Sequence, residues 1–307
     1  MILFSFYQAI LVSAVSPMLI GIIRKTKAKL QFRQGASIFQ PYADLRKLFS
    51  KDEVISSDAS IFFRGAPYLI FSLTLLIATA IPVAGIPSVG TTTDFLVIAY
   101  LFGLSAFTLA LAGIDTGSAF GGFGSSRELS LGAIVEAVLL FALLPLVLIA
   151  QSTSIPGITS ALSSLPFSSY LSVFLAFMAF LVAMVTETAR VPVDNPATHL
   201  ELTMIHEAMI LEYSGKRLAL VEWASANKYV LFLALGTNLF FPYLLSEANS
   251  IQHILIGTVV FLAKAIIFSI ALAILESSIA KLRIFKVPDL LFTGIVLGAI
   301  ALIFANV

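Results

Sequence analysis

The chain has 307 residues, of which 59% are hydrophobic and 11% charged, and its formal net charge is +1 at pH 7. This composition excludes a soluble domain, and the near-zero net charge gives no excess that points to nucleic acid. With no cysteine, the chain can hold no disulfide, thiolate nucleophile, iron–sulfur cluster or cysteine-type zinc site.

Eight apolar stretches are long enough to cross a membrane, which takes about 20 residues as a helix. They lie at about 3–23, 66–86, 95–114, 131–151, 169–188, 229–246, 253–277 and 288–306. Backbone groups in lipid must be satisfied internally, so helices are expected throughout. The first stretch ends in "RKTKAK" rather than a small-residue cleavage site and is expected to be retained. The sequence predicts one all-α, polytopic transmembrane domain over residues 1–307.

The basic residues orient these spans. Seventeen of the 18 lysines and arginines fall in the first, third, fifth and seventh connections, and the remaining one, Lys264, lies inside a span. The positive-inside rule then predicts that the odd-numbered connections are cytoplasmic and that both termini are external.

Two of the connections on the predicted cytoplasmic side are long, at 24–65 and 189–228. In the first, "QPYADLRKLFSK" places Tyr42, Leu45 and Leu48 at helical spacing opposite charged residues, which predicts an amphipathic helix along the membrane face. No internal repeat is visible, so an inverted-repeat transporter gains no support.

A glycine-rich stretch, "GIDTGSAFGGFGSSRE" at 113–128, lies between the third and fourth spans. It follows no strand and lacks the Lys-Ser/Thr of a phosphate loop, so we expect a connection that lets backbone pack tightly beneath a partner. His199 and His206 lack the spacing of a zinc motif and have no clear third ligand. Metal binding is therefore not expected.

Two charged residues lie deep within spans, Glu136 in the fourth and Lys264 in the seventh. A charge at such depth costs about 2.5 to 3.5 kcal/mol on insertion scales, so these residues should face the bundle interior or a wet cavity. A role in proton handling is the functional interpretation, and a structural polar contact is the alternative.

Two carboxylates close spans at the predicted cytoplasmic end, Glu187 in the fifth and Glu276 in the seventh. They could belong with Glu136 to a path of exchangeable protons, because carboxylates in a helix bundle serve proton relays. They could equally reach headgroups or pair with Arg190 and Lys281.

With these residues in view, nearly the whole sequence resembles the subunit 1 family of respiratory complex I. "FQPYADLRKL" looks like the family's Gln-Pro-x-x-Asp-x-x-Lys-Leu stretch, and "TETARVPVDNP" is similar to its Glu-x-x-Arg-x-Pro-x-Asp-x-Pro signature. "EYSG" at 212–215 matches the end of its long fifth connection. Order, spacing and predicted location all agree.

Within this family the sequence resembles the membrane subunit of energy-converting nickel–iron hydrogenases and formate hydrogenlyase. The stretch 113–128 and "LESSIAKLR" at 275–283 resemble that branch. Arg127 and Glu136 keep the nine-residue spacing that complex I has between an arginine and the glutamate of its Ser-Tyr-Glu motif. Here Ile134 and Val135 replace the Ser and Tyr of that motif. The segment 196–215 is some three residues longer than the complex I form, whose loop helps shape the quinone cavity.

The resemblance implies a non-catalytic, multi-pass subunit of the cell membrane that couples electron transfer in a peripheral arm to proton or sodium translocation. Partners would be the hydrogenase large and small subunits, an iron–sulfur subunit and antiporter-like membrane subunits, with the nickel–iron centre and iron–sulfur clusters in those partners. Combined with the residue analysis, the expected ion-handling residues are Glu136, Glu187, Asp194, Glu201, Glu207, Glu212, Lys264 and Glu276. The expected docking residues are Gln40, Pro41, Asp44, Lys47, Arg127 and Arg190.

Two further readings within the family stay open at this point: a quinone-cavity subunit of a complex I-like dehydrogenase, and the equivalent subunit of a membrane-bound sulfur-reducing complex. A stand-alone secondary transporter is a third, from another class. The sequence decides neither between protons and sodium nor between electron donors.

Overall fold

The computed structural model describes residues 2–85, 94–163, 169–194, 204–242 and 250–305. These residues form helices with no strand among them beyond one isolated bridge between Asp94 and Ser154. The helices are α1 Ile2–Leu30, α2 Gln40–Phe49, α3 Ile61–Ala80, α4 Phe95–Asp115, α5 Ala119–Ala150, α6 Ile155–Leu162, α7 Tyr170–Glu187, α8 His206–Ile210, α9 Gly215–Phe240, α10 Ile251–Ser278 and α11 Val287–Ala305, with a 3₁₀ turn at Ile284–Lys286 before α11.

Eight of the helices in the described ranges are long and apolar enough to cross a membrane, namely α1, α3, α4, α5, α7, α9, α10 and α11. The predicted all-α polytopic class and the number of spans are therefore confirmed. Several helices begin or end at other residues than the apolar stretches, because hydropathy marks the part of a helix that suits lipid and not where the helix stops. The stretch 113–128 is helical over most of its length, since Ser118 accepts a hydrogen bond from the Gly121 amide and starts α5 there.

Successive spans run in opposite directions, which gathers the odd connections at one end of the bundle and the even connections at the other. At the even end, the Phe95 amide donates to Thr153 and the Asn238 side chain donates to Pro82. At the odd end, ion pairs link the first, fifth and seventh connections. We call this second end the charged end; that it faces the cytoplasm remains a prediction.

Close approach of backbones sets the packing of α11. An added Cβ at Gly298 would lie 2.7 Å from the Phe141 carbonyl oxygen of α5, and one at Gly294 would lie 2.8 Å from a Val138 methyl group. Small residues at such crossings let membrane helices gain van der Waals contact where no hydrophobic effect drives them together. Helices α5, α7 and α11 accordingly pack as one group.

Aromatic rings pack against one another from the middle of the bundle toward its even end. Phe102 stacks on Phe232 with centroids 4.4 Å apart, and Phe180 lies 5.3 Å from Phe240. Such ring pairs contribute about 0.5–1.5 kcal/mol each beyond the area that they bury. We call this set the aromatic layer; its members are Phe102, Phe177, Phe180, Phe232, Phe240, Phe241 and Phe268.

Helix α2 confirms the amphipathic helix predicted after the first span. It starts with Pro41 in its first turn, a position that needs no intrahelical amide donor. The Tyr42 hydroxyl donates to the Ala14 carbonyl of α1, and the Phe49 ring packs edge-on against Trp223 of α9. Helix α2 therefore lies across α1 and α9 at the charged end.

Candidate functional site

The segment after α7 folds back under the charged end. The Arg190 amide donates to the Val185 carbonyl at 3.0 Å, and the Asp194 amide donates to the Arg190 carbonyl at 3.0 Å. The Leu282 amide donates to the Pro192 carbonyl at 2.8 Å, which fastens this segment to the seventh connection. The start of the long fifth connection is thus held in place by the chain's own backbone.

Glu276 at the end of α10 lies between two cations. Its carboxylate is 2.8 Å from the Lys27 ammonium and 3.0 Å from the Arg190 guanidinium, and its side chain is 2% exposed. The Arg190 guanidinium also lies over the Tyr229 ring at 4.2 Å, and the Tyr229 hydroxyl hydrogen-bonds to Ser269. Of the two readings left open for Glu276, the geometry supports pairing with Arg190, which ties α1, α10 and the fifth connection together.

Asp194 fixes the start of α8. Its Oδ2 accepts from the backbone amides of Ile205 and His206 at 3.1 and 3.2 Å, and its Oδ1 lies 3.5 Å from the Lys281 ammonium. Amide donors and a cation both stabilise the ionised carboxylate. Asp194 therefore serves first as a tie between the fifth connection, α8 and the seventh connection.

Glu187 forms the second buried pair of the fifth connection. Its carboxylate lies 2.5 Å from the Lys228 ammonium of α9, with side-chain exposures of 6% and 14%. Glu128 of α5 faces the same space and interacts electrostatically with both residues. Sequence reasoning missed Glu128 because it assigned residue 128 to a loop. Its spacing of eight from Glu136, two steps of four, was the available signal that both share a helix face.

These groups line an open cleft at the charged end, which we call the charged cavity. It has two adjoining parts, each with room for roughly one to a few water molecules. Both parts are bordered by Glu128, Thr186, Glu187 and Ala189. The larger part adds polar and charged side chains, which are Ser105, Thr188, His206, Ser225 and Lys228. Within the described ranges, no three His, Asp or Glu side chains converge closely enough to hold a metal ion.

Glu136 lies two helical turns beyond Glu128 toward the bundle interior. Its carboxylate rests against Gly103 of α4, where an added Cβ would overlap with Oε1. It interacts electrostatically with Glu187. The glycine thus makes the space that the Glu136 carboxylate occupies next to the charged cavity.

His206 contributes a neutral ring to the cavity wall. Burial, and secondarily the nearby Lys228 ammonium, lower its pKa from 6.5 to about 4, although the Asp194 carboxylate opposes this shift. The ring is therefore uncharged at neutral pH. Glu207 lies in the first turn of α8, while Glu201 and His199 lie outside the residues that the structure describes.

The "EYSG" stretch anchors the fifth connection to the first. Tyr213 stacks on Phe63 with centroids 4.1 Å apart and donates its hydroxyl to the Phe63 carbonyl, and burial raises its pKa. Ser214 exchanges hydrogen bonds with the Val54 backbone at 2.8 and 2.9 Å. Glu212, one of the expected ion-handling residues, is exposed beside them and does not face the charged cavity.

Lys264 lies apart from the other expected ion-handling residues. It is twelve residues before Glu276 on α10, and its ammonium donates to the Phe241 carbonyl at 2.7 Å. This carbonyl is at the C-terminal end of α9, where a cation is favoured by the helix dipole. The contact supports the structural alternative for Lys264.

The expected docking residues divide into two groups. Gln40 and Asp44 hydrogen-bond to each other at 2.9 Å on α2, where Lys47 is exposed and Pro41 is buried. Arg127 donates to the Met204 carbonyl at 2.9 Å. Arg127 and the buried Arg190 are thus engaged within the chain, and their part in docking stays a prediction.

Comparisons with known proteins agree with this architecture. A family model described as NADH dehydrogenase matches residues 2–307. Hydrogenase-4 component C of Escherichia coli (strain K12) is 34% identical over 99% of this chain and 96% of its own length. Formate hydrogenlyase subunit 4 of the same organism is 32% identical over 95% of each chain.

More distant similarities extend to complex I and beyond. An NADH-quinone oxidoreductase subunit of Syntrophotalea carbinolica is 32% identical over 70% of this chain and 68% of its own. A structure of the membrane-bound sulfane sulfur reductase, an archaeal respiratory membrane complex, shares the fold with a TM-score of 0.85, 20% identity and 99% coverage of both chains. The chain therefore belongs to the NADH dehydrogenase subunit 1 family.

Proposed function

We propose that this chain is the membrane-anchor and ion-coupling subunit of a multi-subunit membrane-bound hydrogenase of the nickel–iron type. It links electron transfer in a peripheral arm to proton or sodium translocation in the cell membrane. Supporting this, two relatives named for hydrogenase and formate hydrogenlyase match along nearly the whole chain. The complex I relative matches over a smaller share, so the quinone-cavity function stands second.

The observation that carries the proposal is the charged cavity. It opens at the charged end, where the basic residues predict the cytoplasm. It holds the buried Glu187–Lys228 pair and Glu128, with Glu136 further in. Ionisable residues inside a membrane bundle are costly and typically mark ion pathways, so this arrangement supports ion coupling rather than simple anchoring.

The anchoring half of the proposal rests on the surface of the charged end. Helix α2 presents Lys47 outward there, and the fifth connection is fixed by Tyr213, Ser214 and Arg190. A fixed surface can dock large subunits without losing affinity to loop ordering. We assign the nickel–iron centre and the iron–sulfur clusters to the hydrogenase and iron–sulfur partners docked here, and the onward ion path to antiporter-like membrane partners.

The first experiment identifies the complex. The chain is tagged, extracted from its native membrane in mild detergent, and the co-purifying complex is assayed for nickel, hydrogen evolution, quinone reduction and sulfur reduction. We expect nickel together with hydrogen evolution. Quinone reduction without nickel would support the complex I-like function instead, and sulfur reduction would support the sulfur-reducing complex. A lone polypeptide with no activity would refute all three and favour the stand-alone transporter.

The second experiment tests coupling in inverted membrane vesicles. Glu187→Gln should leave hydrogen evolution from an artificial electron donor intact and abolish the ion gradient, because the carboxylate that pairs with Lys228 is neutralised. Glu222→Gln is the matched control, since Glu222 is an exposed carboxylate on α9. A normal gradient in Glu187→Gln would remove the coupling role.

A further inference from the structure

The charged cavity contains more negative groups than positive ones. Glu128 and Glu187 enter it from α5 and α7, and Lys228 enters from α9 as the one Lys or Arg among the described residues that line it. The Lys228 ammonium contacts the Glu187 carboxylate at 2.5 Å. Glu128, also within electrostatic range of Lys228, therefore competes with Glu187 for the same cation.

The other charged neighbours of the cavity are already engaged. Asp194 is held by Lys281 and by two backbone amides, and His206 is uncharged at neutral pH. The remaining polar groups facing Lys228 are hydroxyls from α4, α7 and α9, which are Ser105, Thr186, Thr188 and Ser225. A second ionised carboxylate in this cavity would lack a cation, so a proton is the simplest neutralising partner.

We infer that Lys228 is a mobile counter-ion, and that its ammonium exchanges between Glu187 and Glu128 while one proton moves the opposite way. In the first state, Lys228 pairs with the Glu187 carboxylate and Glu128 is a neutral carboxylic acid. In the second state, the O–H bond of Glu128 is broken, an O–H bond forms on Glu187, and Lys228 pairs with the Glu128 carboxylate. The number of protons and the net charge of the cavity stay constant.

The physical basis is the nature of the lysine side chain. An ammonium on a flexible four-carbon stem can swing between two acceptors, whereas a guanidinium holds a carboxylate in a rigid two-point grip. The space beside Lys228 is large enough for water that carries the proton. Glu136, two helical turns along α5 from Glu128, is the next carboxylate on that helix.

The inference rests on the proposed function and specifies the ion that it moves at this site. A sodium ion is bound by several oxygen ligands, and here the Glu187 carboxylate is already occupied by an ammonium. We therefore take the proton as the exchanging species, because it can pass between the two carboxyl groups while Lys228 stays paired with the other. A fixed structural pair between Lys228 and Glu187 is the alternative, and it assigns no role to Glu128.

The test uses the whole complex in inverted membrane vesicles, with hydrogen evolution from an artificial donor as the measure of intact assembly. Glu128→Gln and Lys228→Arg should both lose the proton gradient while hydrogen evolution is retained. Lys216→Met and Glu222→Gln, which change exposed residues of the same helix as Lys228, should keep both. Lys228→Met is added as the charge-loss variant, and native gel mobility reports its assembly.

A second readout does not depend on turnover. Infrared difference spectra of the purified complex between two pH values should contain a protonated-carboxyl stretching band that is lost in Glu128→Gln. In Lys228→Arg the band should remain, because arginine holds Glu187 ionised and leaves the proton on Glu128. Persistence of the band in Glu128→Gln would show that Glu128 does not hold the proton and would contradict the first state.

The outcomes separate the inference from the proposed function. A normal gradient in Glu187→Gln overturns both. Loss of the gradient in Glu187→Gln with a normal gradient in Glu128→Gln or in Lys228→Arg overturns the mobile counter-ion alone and leaves the fixed pair. Loss in all three variants together with loss of the infrared band in Glu128→Gln supports the inference, and if Lys228→Met fails to assemble the other variants still decide.

Discussion

Replacing Glu276 with glutamine should loosen the charged end, because this carboxylate holds two cations. Its side chain is 2% exposed, and it contacts Lys27 and Arg190 at 2.8 and 3.0 Å. Removing one partner from a buried ion pair typically costs about 3–5 kcal/mol. Lys27 is 20% exposed and can turn to water, and Arg190 keeps its contact with the Tyr229 ring. We therefore expect a cost toward the lower limit, about 3 kcal/mol.

Hydrogen exchange measures this loss locally, in the purified complex. The backbone amides of Arg190, Asp194 and Leu282 are hydrogen-bonded within the tied segment. A loss of about 3 kcal/mol in local opening corresponds to a fall in their protection of about 100-fold. Glu53→Gln is the control, because its pair with Arg217 also spans two connections but is 17–19% exposed. Because both of its side chains keep some access to water whereas Glu276 keeps almost none, we expect a smaller cost for this pair.

The reasoning would be refuted by equal protection of these three amides in Glu276→Gln and in the unaltered complex. It would also be refuted if Glu53→Gln cost as much as Glu276→Gln, since burial would then not be the cause.

Three further predictions concern single positions. Gly103→Ala should push the Glu136 carboxylate from its place and lower the ion gradient in vesicles, whereas Gly65→Ala, with no atom within 4 Å of its added Cβ, should not. Asn227→Ala should lower the apparent melting temperature of the purified complex. Asn227 is fully buried and bonded to Ser16 at 2.7 Å, and polar contacts between membrane helices contribute about 0.6–1.7 kcal/mol; an unchanged melting temperature would contradict this. His206 should make the complex less stable as the pH falls from 6.5 to about 4, because its pKa is lowered to about 4 and the unfolded chain binds the proton first. The loss amounts to about 3 kcal/mol at most, and melting curves across this pH range should flatten in His206→Asn; identical curves would show that another group titrates.

The number of spans, the helix after the first span and the acidic character of one end could be predicted from the sequence. Hydrophobic runs and the distribution of lysine and arginine reflect the bilayer directly, so they can be read without a structure. The place of Glu128 in the cavity was not predicted, because glycines at 121, 122 and 124 suggested that it lies in a loop. In the folded chain these glycines belong to α5, where an added Cβ at Gly124 would meet the Ile205 carbonyl of the segment before α8.

The pairing of charges was beyond a single sequence. Lys27 and Glu276 are far apart along the chain and meet only because α1 and α10 pack side by side. The partner of Lys264 could not be predicted from the sequence for a similar reason. It is a backbone carbonyl, a group that every residue carries and that no sequence pattern marks. Depth in a span predicted that Lys264 faces a polar partner but not that the partner is the end of α9.

The aromatic layer has a consequence for the route of any ion that enters this chain. Seven phenylalanine rings, from α4, α7, α9, α10 and the residue that follows α9, pack between the middle of the bundle and its even end, and five of the ring pairs have centroids within about 6 Å. The rings themselves offer a charge little in place of its water, so they oppose a direct ion path between the two membrane faces. Under the proposed function, the less costly route for a proton at Glu136 is therefore sideways, into a neighbouring subunit.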